Sequence, residues 1–126
     1  MPPGYRYNHR LQRQEDDFLD WDCSQEGFEG IRAQDILPLL LERLRPSVFL
    51  AWGNIIDVFI DRGFGHHFRR QSEWDLHFID RVQAMDHAAI TSGQITPTHM
   101  LARFQKTAQS FLHDVGTGPH DAVRWP

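Results

Sequence analysis

Between Ser47 and Gly63 the chain reads SVFLAWGNIIDVFIDRG, a stretch whose apolar positions are Val48, Phe49, Leu50, Ala51, Trp52, Ile55, Ile56, Val58, Phe59 and Ile60. Wound as an α-helix, these cover most of the circumference and leave Asn54, Asp57 and Asp61 as a polar strip at i, i+3 and i+7. A helix that apolar needs neighbours on several sides and belongs in the middle of a small domain. Ser47 suits its N-cap and Gly63 its C′ position. The pattern therefore predicts a buried central helix over 48–62. Its rival is a pair of strands, Val48–Trp52 and Ile55–Ile60, turned at Gly53-Asn54. Neither flank alternates cleanly between apolar and polar, and the capping favours the helix.

The same reading extends to both sides. Asp35 caps a short helix, Ile36–Leu44, with Pro38 in its first turn and Leu37, Leu40, Leu41 and Leu44 as its stripe. Ser72, followed three residues on by Asp75, opens a helix whose stripe is Trp74, Phe78, Val82, Met85 and Ala89, and Gly93 closes it. Thr96 and Pro97 suit the N-cap and N1 of a last helix, with Met100, Leu101, Phe104, Ala108, Phe111, Leu112 and Val115 running to Gly116. Leu11, Phe18, Leu19 and Asp22 loosely follow helical spacing, which allows a further short helix near 9–21 before Gly27 and Gly30 break it. The expected fold is all-α: one compact helical domain of four to five helices, a bundle or orthogonal array around the central helix. Residues 1–30 read as an N-terminal arm and acidic–aromatic segment, 31–116 as the helical core and 117–126 as a C-terminal tail. No strand–glycine loop–helix unit is present to cradle a phosphate.

Composition narrows the class. A chain of 126 residues with 40% apolar and 12% aromatic content has the size of one domain and enough material for a core. The net charge of −4 argues against binding nucleic acid through a bulk field. A single cysteine, Cys23, excludes an internal disulfide and a cysteine-based zinc cluster, and suits a reducing compartment. No apolar signal region or membrane-length run is visible, so the expected compartment is the cytoplasm.

Charge is unevenly placed. Arg6, Arg10 and Arg13 are followed by Glu15, Asp16, Asp17, Asp20, Asp22, Glu26 and Glu29 before the next base, with Phe18, Leu19, Trp21 and Phe28 threaded among them. Asp16, Asp17, Phe18, Asp20 and Trp21 thus form a candidate docking segment for a basic partner. On the central stretch Asp57 and Asp61 stand at i, i+4, where two carboxylates repel. An arginine, Arg69, Arg70 or Arg81, is expected to compensate them; otherwise they face a cleft. The loop Phe64, His66, His67, Phe68, Arg69 and Arg70 combines the residue types found at protein interface hot spots.

Among the eight histidines, His77 pairs with Asp80 at i, i+3, the spacing that brings two ligands to one metal. His87 lies about 80° round the helix from His77 and cannot join the same ion. No nucleophile with an adjacent base stands out. The expectation is a small intracellular protein-binding module of bacterial or phage-like character, an immunity- or antitoxin-like inhibitor or an adaptor. It would act by stoichiometric contact, with a protein partner, no cofactor, no membrane and no nucleic acid; self-association stays open. The alternative is a metal-dependent helical hydrolase using His and Asp ligands.

Overall fold

The computed structural model describes residues 2–17, 33–107, 112–113 and 117–123. In chain order its elements are β1 (Tyr7–Asn8), β2 (Arg13–Gln14), α1 (Ala33–Arg43), β3 (Arg45–Trp52), α2 (Asp57–Ile60), α3 (Glu73–Thr91), β4 (His99–Gln105) and β5 (Leu112–His113), with 3-10 turns at Pro3–Arg6 and Gly65–His67. The fold is mixed α and β, which corrects the all-α helical bundle expected from periodicity. Two compact units are present, one drawn from Met1–Leu19 and Gly53–Ala88, the other from Asp20–Trp52 and Ala89–Pro126.

The second unit is built on a sheet of order β4-β3-β5, antiparallel between β3 and β4 and parallel between β3 and β5. Its central strand is the first half of the stretch expected to be a helix. Along β3, Ser47, Phe49 and Ala51 are buried, Val48 and Leu50 are half-buried, and Trp52 is exposed. The period of two is present in burial but hidden in the sequence, because both faces of the strand carry apolar side chains. Gly53, at φ +73°, ends the strand in a conformation that favours glycine. Pro46 lies beside a register shift against β4, outside the two β3 residues that pair with β5, so its missing N–H breaks no ladder there. Ser47 Oγ donates to the Arg103 carbonyl at 3.1 Å and accepts from Arg103 Nε at 2.9 Å, which ties the two strands beside the shift.

The expected last helix over 96–115 is likewise corrected. Of its described residues, His99–Gln105 form β4, paired with β3 from Trp52↔His99 to Arg45↔Gln105, and Leu112–His113 form β5. Met100, Leu101 and Phe104 satisfy helical spacing, yet pairing with β3 decides the outcome, as it does where β-structure overrides local preference. Helix α1 forms close to its expected span and places Leu37 and Leu41 in a cluster with Phe49, Ala51, Ala102, Phe104, Ala122 and Val123.

In the first unit, residues 7–14 form the β1–β2 hairpin rather than the start of a helix near 9–21. Asn8 Oδ1 accepts the amides of Arg10 and Leu11, each at 3.0 Å, and Gln12 closes the turn at φ +53°. The second half of the supposed central helix is a single turn, α2, ending where Asp61 leaves helical geometry. Helix α3 begins as expected: Ser72 Oγ accepts the Asp75 amide at 3.3 Å. It also ends as expected, with Gly93 at φ +73° and Gly93 N–H and Gln94 N–H donating to Ile90 and Ala89 carbonyls. Its buried face is not the expected stripe, since Trp74 and Met85 are 47% and 61% exposed while Asp75 and Asp86 are buried. Among the described residues no helix is long and apolar enough to cross a membrane.

Candidate functional site

The site grows from the segment between α2 and α3. Asp61 turns the chain: its Oδ1 accepts Gly63 N–H at 2.7 Å and Phe64 N–H at 3.0 Å. Gly65 follows at close quarters, its amide donating to the Asp61 carbonyl at 2.9 Å. After the 3-10 turn, Arg69 N–H donates to Asp75 Oδ2 at 3.0 Å, and the other carboxylate oxygen accepts the Tyr5 hydroxyl at 2.7 Å. Asp75 thereby joins the N-terminal segment, the Arg69 loop and the start of α3. Asp86 does a similar task further along the helix, accepting Ile55 N–H at 2.6 Å just before α2.

Around these anchors the aromatics interlock. Phe78 stacks on Phe68 and Trp74 with centroids 5.4 and 5.2 Å apart, and Phe59 meets it edge-on at 5.3 Å. Above lies a hollow of about 470 Å³ lined by Phe59, Ile60, Phe68, Leu76 and Ile79, with Arg62, His66, Arg69 and Arg70 and the acids Asp61, Asp75 and Asp80. That volume is in the range of ligand-binding concavities. Ile60 and Leu76 are 58% and 46% exposed, so the hollow is open at its lip. Arg13 pairs with Glu15, far from the hollow in sequence, whereas among the described residues Arg62, Arg69 and Arg70 have no carboxylate within 4.0 Å.

The Asp75 carboxyl is held below its ordinary value of 3.8, first by the Tyr5 hydroxyl, then by the Arg69 amide and Ser72, against the opposing pull of burial. The Tyr5 phenol is raised above 10.0 chiefly by the same hydrogen bond. The Asp75 contribution to stability is thus present above pH 3.8 and lost as pH falls through the lower folded-state value. The Tyr5 contribution is complete below pH 10.0 and lost as pH rises through the higher folded-state value. Asp75→Asn is expected to lower the Tm at pH 7 by several degrees and to flatten its fall below pH 4. A Tm profile parallel to that of the wild type across this range would overturn the role given to Asp75.

Of the residues expected to bind, His66, Arg69, Arg70 and Asp61 come together at the hollow. His67 sits behind it, stacked on Tyr5 at 5.4 Å with Nε2 at 2.7 Å from the Tyr7 carbonyl oxygen. His9 closes on His66 and His67, with centroids 5.0 and 4.7 Å away, and its imidazole is shifted down by desolvation and by the two neighbouring rings. Asp57 is half-buried at the first residue of α2. Asp61 is served by backbone amides and has no arginine within salt-bridge distance among the described residues. Asp16 and Asp17 are exposed, and the Asp16 carbonyl accepts from Arg6 at 3.3 Å; Phe18, Asp20 and Trp21 lie outside the described residues.

His77 is exposed on α3, while Asp80 lines the hollow. No group of three His, Cys, Asp or Glu side chains among the described residues is placed to hold a metal ion. Sequence reasoning missed Ile60, Arg62, Leu76 and Ile79 as lining residues, and Tyr5 as the partner of Asp75. The signal available for the buried acids was their spacing: positions 75 and 86 fall eleven apart, three helical turns on one face. No protein-family model, curated protein or solved structure matches the chain.

Proposed function

We propose that this chain is a non-catalytic binding module that acts by stoichiometric contact with a protein partner, using the hollow between α2 and α3 of its first unit. The observation that supports this is the combination at one place of an aromatic floor, exposed Ile60 and Leu76 at the lip, and three arginines with no ion pair among the described residues. Interface hot spots draw on aromatic and arginine side chains set in desolvated pockets. An inhibitor or adaptor of the immunity or antitoxin kind fits this chemistry, and the lone cysteine suits a reducing cytoplasm.

The test is affinity capture from native host lysate with the tagged chain, quantified by mass spectrometry against an Ile60→Glu/Leu76→Glu variant. Both side chains are exposed, so the variant keeps the wild-type melting curve. One partner recovered in stoichiometric amount, and reduced at least about tenfold by the variant, is the expected result. Equal recovery by the two proteins would remove the hollow from the contact.

A further inference from the structure

We infer that His9, His66 and His67 form an acid-sensitive seam, which fastens the β1–β2 hairpin to the Gly65–His67 turn near neutral pH and loosens as the solution is acidified.

The seam joins two segments of the first unit. His9 follows β1 directly, and its amide donates to the Gly63 carbonyl at 2.8 Å. Its ring centroid lies 5.0 Å from that of His66 and 4.7 Å from that of His67. From the other side, His67 Nε2 is 2.7 Å from the Tyr7 carbonyl oxygen. A carbonyl only accepts, so Nε2 carries the hydrogen and the neutral ring keeps its lone pair on Nδ1. Tyr7 meets the His9 ring edge-on at 5.2 Å, and Tyr5 stacks on His67 at 5.4 Å. Neither His9 nor His67 can swing clear without giving up these contacts.

The cluster lacks a close counter-charge. The titratable groups around His9 are Tyr7 from β1 and His66 and His67 from the turn. Among the described residues no carboxylate lies within 4.0 Å of a nitrogen of these three imidazoles. Asp61, two residues before Gly63, and Asp75, bonded to the Tyr5 hydroxyl behind His67, keep their charge but stand beyond that distance. Arg10 beside His9 and Arg62 beside Gly63 are the charged residues next in sequence, and both are cations. A proton taken up by one imidazole therefore opposes uptake by the next.

The direction of the effect follows. The His9 imidazole is held below its ordinary value of 6.5, first by desolvation, then by His67 and His66. The docked hairpin thus binds fewer protons than the released one. Its fastening is complete above pH 6.5 and weakens as pH falls through the lower folded-state value. His9 and His66 are exposed, so water and salt screen part of the repulsion, and the seam loosens without unfolding the unit. The Tyr5–Asp75 bond persists over this range, because the Asp75 carboxyl is held below 3.8.

The test is amide hydrogen exchange by NMR on the isotope-labelled full chain in low salt, at about pH 7.5 and about pH 5.5, each rate referred to the intrinsic rate at that pH. The His9 amide, which bridges the seam, is expected to lose protection at least about threefold on acidification. The Gly65 amide, bonded to the Asp61 carbonyl within its own turn, should keep its protection. His9→Gln should abolish the pH dependence, and added salt should reduce it in the wild type. If His9→Gln does not reproduce the wild-type spectrum away from the hairpin, His66→Gln takes its place. That variant removes one neighbouring charge, so it should reduce the pH dependence and move the titration of the His9 ring up toward 6.5. A wild-type His9 amide equally protected at both pH values overturns the seam. So does a loss shared by the Gly65 amide, or an undiminished pH dependence in the variant used.

Discussion

Phe49→Ala is expected to lower the stability of the sheet unit by about 3–5 kcal/mol, the range for truncating a fully buried phenylalanine. Phe49 has no exposed surface, and it stands on the central strand opposite Ala102 on one side and His113 on the other. The buried cluster around it consists of Leu37, Ala51 and Val123, with Leu41, Ala102, Phe104 and Ala122 partly buried against it. Three of these neighbours are alanines, whose side chains cannot extend into the space the ring vacates. The cost therefore includes a cavity as well as the lost transfer of the ring from water. Against a usual total of about 5–15 kcal/mol for a small domain, that loss leaves the unit close to its unfolding threshold. Urea melts of Phe49→Ala and Leu101→Ala make the comparison, since Leu101 is 58% exposed and its truncation should cost under about 1 kcal/mol. Equal losses for the two would contradict the burial of Phe49.

Gly65→Ala is the second large effect, and its cause is backbone rather than core. A methyl group there would lie 2.9 Å from the Ile60 carbonyl oxygen and 3.0 Å from its carbon. Those atoms end α2 and cannot rotate aside as a side chain does. The turn is also fixed from both directions, by Gly65 N–H on the Asp61 carbonyl and Phe68 N–H on the Gly65 carbonyl. Relief requires moving the backbone, at a cost of about 1–3 kcal/mol. Gly63 is the informative control. A methyl there would meet the Asn8 side chain, 3.0 Å from its Oδ1, which can yield at the expense of two hydrogen bonds in the hairpin turn. The expected order in a denaturant melt is Gly65→Ala below Gly63→Ala below wild type. Because Ile60 and Gly65 both line the hollow, partner recovery should fall with Gly65→Ala as well. An unchanged melt for Gly65→Ala would refute the close packing of α2 on this turn.

Where local chemistry is self-sufficient, the sequence was readable. Helix α3 carries its own start and stop in Ser72 and Gly93, and α1 carries its leucine stripe, so both stand near their expected bounds. The strands were not readable, for a reason specific to them. Val48, Phe49, Leu50 and Ala51 are all apolar, and a run without alternation satisfies a buried helix as well as a buried strand. What decides is the partner: Leu50 pairs with Leu101 across fifty-one positions, information no local window contains. The candidate site was legible as a composition, in His66, Arg69 and Arg70, but not as a shape. In the sequence Ile60 reads as part of a central helix, and Leu76 falls outside the apolar stripe of its helix. The carboxylates misled in a consistent direction. Asp61 suggests a charge pair with an arginine and Asp75 an acidic helix start, whereas folded both carboxylates also hold backbone amides, a task that side-chain spacing alone does not disclose.

Each compact unit takes its residues from two stretches separated along the chain. For a nascent polypeptide this means waiting. Tyr5 leaves the ribosome seventy residues ahead of the Asp75 carboxylate that receives its hydroxyl. At a synthesis rate of about 5–20 residues per second, the N-terminal hairpin spends several seconds without that anchor. β3 follows the same rule, since Phe49 is translated well before Ala102 exists to sit beside it. Both units therefore become closable only late in translation. A nascent chain whose β3 has cleared the ribosome before His99–Ala102 have emerged displays Phe49 and Trp52 on an unpaired strand, ready substrates for a chaperone or a protease.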